Sequence, residues 1–127
     1  MGASIAGIFA SFGAAEVFAV SRDLKDAEVN LQRIARSVKA DSIYKRIHVS
    51  DYSGLDDCVA NSDLVFESVL EDRRIKKDIA VQVSKCLKKD AYFCTGTSGL
   101  SVTELAECFP CELRGNVFGV HFFNCNL

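Results

Sequence analysis

Short apolar runs recur along this chain, and a stretch with helical spacing separates each from the next. The runs cover residues 16–20, 46–49, 63–67, 91–95 and 116–122. Each is nearly continuous in apolar residues rather than alternating, which is the pattern of a strand buried on both faces. Before the first run, residues 1–13 predict a helix, with Ile5, Ile8, Phe9 and Phe12 at helical spacing and Gly13 as its stop. Small residues (Gly2, Ala3, Ala6, Gly7, Ala10) line its other side and suit close packing on a sheet. Residues 23–40 predict a charged amphipathic helix with Val29, Ile34, Ala35 and Val38 inward. Further helices are expected at 54–60, 74–87 and 102–108, the last opened by Ser101 with Glu104 three residues on, a capping box. Strand alternating with helix predicts an α/β fold: a doubly wound parallel sheet, Rossmann-like, covered on both faces.

The length of 127 residues suits one domain, and 49% hydrophobic residues supply one core. Fifteen basic residues against 17 acidic give a net charge of −2. That balance offers no basic footprint for nucleic acid and no field for an anionic membrane. No apolar run is long enough to span a bilayer. Six cysteines stand mostly alone in apolar surroundings, and no secretory signal precedes them, so the expected setting is reduced and intracellular, the cytoplasm first. Cys108 and Cys111 have redox-pair spacing, but only His48 and His121 could complete a zinc site, and no metal is expected.

In a doubly wound sheet, ligands bind at the carboxyl ends of the strands. Several polar residues stand at such ends here. Ser21-Arg22-Asp23 follows the first run, where NAD enzymes place an acid for the adenosine ribose; an N-cap for the next helix is the plainer reading. Glu71 and Lys76 follow the third, where capping and surface charge are the bland alternative. Thr95-Gly96-Thr97-Ser98 ends the fourth; Ser98 carries a hydroxyl able to donate to a substrate oxygen, or simply makes a turn. His121 lies in the fifth. A histidine in an apolar strand is more often a satisfied core residue, but its ordinary pKa also suits a general base.

Taken in order, Glu67-Ser68-Val69-Leu70-Glu71-Asp72 with Lys76-Lys77, then Thr95-Gly96-Thr97-Ser98-Gly99-Leu100-Ser101-Val102, then Gly119-Val120-His121-Phe122-Phe123-Asn124, resemble the NAD-binding domain of the L-3-hydroxyacyl-CoA dehydrogenases. The resemblance implies reversible, nicotinamide-linked oxidation of a 3-hydroxyacyl-CoA, as in fatty-acid oxidation or butanoate metabolism. It implies His121 as the base, Ser98 beside the substrate's 3-oxygen and the nicotinamide, and Asn124 holding cofactor and substrate. Glu71 and Lys76 would lie at the nicotinamide side, Gly2 would close the glycine loop on the pyrophosphate, and Ser37 and Lys45 would meet the CoA. Departures are Gly96, where the family usually has Asn, and Cys125, where it has Pro. Ser21-Arg22 stands where NAD enzymes carry an acid, which keeps NADP as an alternative to NAD. The resemblance further implies that residues 1–127 form a partial dinucleotide-binding domain. It would begin inside the glycine loop, without the first strand, and stop before the carboxylate that orients the histidine. The helical domain of a homodimeric parent enzyme would be absent, so the chain alone is expected to be poorly active. Other readings are a sugar-acid dehydrogenase on this scaffold, such as one for gulonate, a truncated non-catalytic binding module, and a gene fragment.

Overall fold

The computed structural model describes residues 2–12, 15–38 and 44–122, with the backbone alone at 34, 37 and 38. The chain divides into two units, Met1–Cys58 and Val59–Leu127.

In the first unit, α1 (Gly2–Phe12), β1 (Val17–Ser21), α2 (Leu24–Val38) and β2 (Ile47–Asp51) follow one another, and a 3-10 turn at Tyr52–Gly54 leads into α3 (Leu55–Ala60). β1 and β2 pair in parallel, from Val17 opposite Ile47 to Ser21 opposite Asp51. Ala10 and Ile47 form the buried centre, with Val17, Ala19 and Leu31 packed on it. α1 buries Gly7 and Ala10 of its small-residue side together with Ile5 of the expected apolar stripe. Ile8 and Phe12 of the expected apolar stripe are 49% and 84% exposed, because helical spacing identifies a stripe but not which stripe a sheet will cover. Val29, expected inward on α2, is likewise 56% exposed, whereas Ala35 is buried. Asp23 opens α2 by accepting from the amide of Lys25 at 2.8 Å, the N-cap role considered for this segment. β1 starts and ends one residue later than expected, so Ser21 is its last residue.

In the second unit, β3 (Leu64–Glu67), α4 (Arg73–Cys86), β4 (Tyr92–Thr95), α5 (Val102–Ala106), a 3-10 helix at Cys111–Asn116 and β5 (Val117–Gly119) alternate. The three strands form a parallel sheet in the order β3-β4-β5. Phe93 and Phe109 meet with ring centroids 5.1 Å apart, and Ala80, Val83 and Leu105 of the same unit are also buried. Asp72 caps α4 by accepting from the Ile75 amide at 3.0 Å. Ser101 caps α5 through the Glu104 amide at 3.3 Å, but the Glu104 carboxylate does not close the expected box. It pairs instead with Lys77 of α4 at 2.6 Å, a charge-assisted bond that ties the two helices together. The 3-10 helix was not expected. Asn116 at its end donates to the carbonyls of Lys89 and Ala91, joining the start of β5 to the start of β4. β5 is also shorter than the apolar run: it ends at Gly119 because β4 ends at Thr95, whose carbonyl takes the Val120 amide at 2.9 Å.

The expected α/β architecture of parallel strands and intervening helices is therefore present, as two sheets among the described residues.

Candidate functional site

The carboxyl edge of β3-β4-β5 carries the densest polar cluster described in the chain. β3 ends in Glu67 and β4 in Thr95, and these two are register partners. Both are buried, with Thr95 fully so. The Glu67 carboxylate accepts from Lys76 Nζ at 2.7 Å and the Val69 amide at 2.7 Å through one oxygen. Its other oxygen accepts from Thr95 Oγ1 at 2.6 Å. α4 delivers Lys76 to this point from its first turn, and the side chain is 1% exposed. The ammonium also donates to the Val69 carbonyl at 3.3 Å and lies 3.6 Å from Glu71. A charge removed from water to this degree is tolerated when it is paired and hydrogen-bonded, as here.

Glu71 stands further out, on the exposed loop after β3. It accepts from the Thr97 hydroxyl and, at 3.4 Å, from the Gly99 amide. The Thr97 hydroxyl bond is the main reason that the Glu71 carboxyl lies below the usual glutamate range, with Gly99 and the Lys76 charge adding to it against the cost of burial. Thr97 is buried: its amide donates to Thr95 Oγ1 at 3.2 Å and its hydroxyl accepts from the Leu100 amide at 3.0 Å. Ser98 lies between the anchored Thr97 and Gly99 and is itself exposed. Gly96 donates to the Glu67 carbonyl at 2.9 Å, and a Cβ there would come within 3.3 Å of that same oxygen. Glycine at this position lets the strand ends approach closely.

His121 follows β5 by two residues and is exposed, not packed in the core. β4 and β5 are neighbours, with Thr95 opposite Gly119, so Ser98 and His121 leave adjacent strands at the same edge. Gly119 sits tightly there, since a Cβ on it would come within 2.8 Å of the Val102 side chain. Phe122 packs edge-on against Phe66 at 5.4 Å. Asn124 lies outside the described residues. Of the expected site residues in this unit, Ser98 and Glu71 thus share one hydrogen-bonded loop cluster, His121 emerges beside it, and Lys76 supports the cluster from below. Glu67, Thr95 and Thr97 stand in the motif blocks that carry the resemblance, but the sequence assigns them no role of their own.

In the first unit, the paired ends of β1 and β2 bring Ser21 and Asp51 side by side. Register partners in a sheet share a face, so a carboxylate stands next to the position where the sequence lacks one. The Asp51 carboxylate accepts from the Ser53 hydroxyl and amide, which hold its carboxyl below the usual range. Arg22 is exposed, as is Lys45. Ser37 is on α2, where the backbone alone is described. α1 opens at Gly2 with no acidic residue in its first turn, so nothing there opposes an anion at the helix N-terminus.

Parallel strands that alternate with helices and end in polar loops define an α/β domain of the kind that binds ligands at its strand ends. Comparison with known proteins gives the family. Residues 1–126 match the 3-hydroxyacyl-CoA dehydrogenase, NAD binding domain, and the chain belongs to that family. It is 38% identical over 77 residues to a 3-hydroxybutyryl-CoA dehydrogenase of Clostridioides difficile, covering 61% of this chain and 26% of that protein. It is 32% identical over 132 aligned positions to a peroxisomal bifunctional enzyme of Cavia porcellus, covering 98% of this chain and 18% of the other. The crystal structure of (S)-3-hydroxybutyryl-CoA dehydrogenase from Ralstonia eutropha superposes with a TM-score of 0.75 at 28% identity, over 98% of this chain and 46% of that one. The chain thus spans about a quarter or less of the length of these curated relatives.

The family's cofactor is NAD. The residues present fit it: an acid-free helix start for phosphate, and an exposed serine and an exposed carboxylate at the strand ends for hydroxyl and amide groups. Among the described residues, no helix is long and apolar enough to cross a membrane, and no group of His, Cys, Asp and Glu is arranged to hold a metal. Cys108 is half-buried and Cys111 exposed; burial pushes the Cys108 thiol up, which lowers its thiolate content.

Proposed function

We propose that this chain is the nucleotide-binding part of a dehydrogenase that moves a hydride between NAD and a 3-hydroxyacyl-CoA. The observation that carries the reading is the emergence of Ser98 and His121 from neighbouring strands at one carboxyl edge, with the Ser98 turn tied to Glu71. NAD, when bound, supplies the hydride acceptor. His121 takes the proton of the 3-hydroxyl, a role suited to an imidazole near neutral pH. Ser98 donates a hydrogen bond to the same oxygen as it becomes a carbonyl. Glu71 accepts from hydroxyls at the nicotinamide side, and Lys76 acts there through Glu71, since its ammonium is buried. Asn124 would hold cofactor and substrate. At the other end of the cofactor, Gly2 would meet the pyrophosphate and Ser21 and Arg22 the adenosine ribose, while Ser37 and Lys45 would meet the CoA. A helical domain and a homodimer are parts of the same reading, as is partial coverage of the nucleotide-binding domain by residues 1–127. Free thiols suit a reducing, cytoplasmic compartment.

The test is reduction of acetoacetyl-CoA by the full-length protein carrying this sequence, followed as loss of NADH absorbance, with NADPH in parallel. Turnover with NADH supports the reading. A folded protein that binds NADH yet reduces no 3-ketoacyl-CoA would overturn the substrate assignment.

A further inference from the structure

We propose that Glu67 is a positioning residue for Ser98: its buried carboxylate holds, by two separate routes, the turn on which Ser98 stands. The proposal rests on the reading of Ser98 as the hydroxyl that meets the substrate oxygen.

The first route runs through Thr95. An ionised carboxylate only accepts hydrogen bonds, and a threonine hydroxyl has one proton to give. That proton goes to Glu67, so the Thr95 oxygen is left to accept the amide of Thr97. The second route runs through Lys76. Glu67 fixes the ammonium at 2.7 Å, and the ammonium lies 3.6 Å from Glu71. Glu71 then takes the Thr97 hydroxyl and the Gly99 amide. The residues on both sides of Ser98 are therefore pinned, one by both routes and the other by the second. Glu71 is exposed, so these bonds rather than packing decide where it sits. Glutamine at position 67 has one acceptor oxygen. Its better orientation gives that oxygen to Lys76 and Val69 and turns its NH2 to Thr95, whose oxygen must then take this donor beside the Thr97 amide while its own proton loses the carboxylate. The neutral oxygen also holds the ammonium less strongly, so both routes are weakened. A turn displaced by about 1 Å is enough to cost up to roughly a hundredfold in rate when the hydroxyl it carries must meet a reacting oxygen.

The experiment is a double-mutant cycle in the full-length protein, Glu67→Gln against Ser98→Ala, with kcat and the KM for NADH and acetoacetyl-CoA measured separately. Alone, Glu67→Gln should lower kcat by about ten- to a hundredfold and leave the KM for NADH within about twofold. In the Ser98→Ala background the same change should cost less than about twofold, because the hydroxyl it positions is already gone. Full multiplication of the two losses would overturn the proposal. The second readout is amide hydrogen exchange at Thr97 and Gly99, which should quicken by about tenfold or more in Glu67→Gln, while core amides such as Val83 stay as protected as before. Unchanged exchange at Thr97 and Gly99 also overturns it. Should Glu67→Gln fail to fold, Thr95→Val cuts the first route alone and should quicken exchange at Thr97 more than at Gly99; equal protection in that variant and the wild type counts against the proposal. A wild type without turnover removes the reaction reading; exchange still decides whether Glu67 anchors the turn.

Discussion

The strand ends of the two units are built in opposite ways. At the ends of β1 and β2, the two aspartates are satisfied within two residues of themselves: Asp23 by Lys25, and Asp51 by Ser53. A longer polar contact, Glu16 with His48 at 2.8 Å, lies on the surface with both side chains more than half exposed. At the ends of β3 and β4, the bonds reach 9 residues from Lys76 to Glu67 and 28 from Thr95 to Glu67, and the groups are dry. Local bonds cap and turn the chain without stiffening anything remote. Long-range buried bonds make one strand end depend on another, which is what a site with fixed geometry requires. A reaction that needs fixed geometry suits the second unit, and a more tolerant contact suits the first.

The largest contrast should be in stability. Lys76→Met leaves the Glu67 charge buried with its cation gone, and should cost about 3–5 kcal/mol. Glu16→Gln breaks an exposed pair and should cost less than about 1 kcal/mol. Urea unfolding of both variants measures the difference, and comparable losses would break the comparison. Next is Ser98→Ala, expected to lower turnover by about a hundred- to a thousandfold if the hydroxyl meets a developing charge. Steady-state rates with acetoacetyl-CoA check it, and a loss below about threefold would remove Ser98 from the chemistry.

A smaller effect is expected at the end of β1. Ser21→Asp adds a second carboxylate next to Asp51, which should favour NAD over NADP by about tenfold, since a 2′-phosphate would face two like charges. The ratio of turnover with the two cofactors measures it, and an unchanged ratio means that Ser21 does not face the ribose. The smallest concerns acid. Glu71 and Asp51 both titrate below the usual carboxylate range, one through Thr97 and the other through Ser53. A depressed folded-state pKa adds stability that is present above the ordinary carboxylate range and is lost as pH falls through the depressed value. Thr97→Val should therefore raise the Glu71 midpoint toward the ordinary glutamate range and leave Asp51 where it was, as followed by NMR titration.

The alternation of apolar runs and helical stretches made the parallel α/β class legible, and it made the strand ends legible as the place for a site. Ser98 drew notice because it lies three residues past an apolar run, and His121 because it sits in the next one. The inward faces of α1 and α2 were not readable where Phe12 and Val29 are concerned, since spacing alone does not say which side a sheet covers. His121 proved to lie beyond β5 because β5 stops with its neighbour, a fact of pairing and not of its own sequence. Glu67 and Thr95 were missed for a related reason. A polar residue closing a strand reads as solvent-facing until its partners, 9 and 28 residues away in chain order, are known to fold over it. Lys76 was read as facing a ligand, and the same lack of long-range information concealed that its ammonium is engaged beneath the loop.

Proton transfer at the carboxyl edge of β3-β4-β5, with His121 as the base, is the proposal on which the rest depends. The most direct measurement is turnover of His121→Gln in the full-length protein, beside its affinity for NADH from fluorescence. Loss of the general base should lower kcat by about a hundred- to ten-thousandfold, while NADH affinity stays within about twofold. A variant that keeps wild-type turnover would contradict the account, because another group would then be taking the proton.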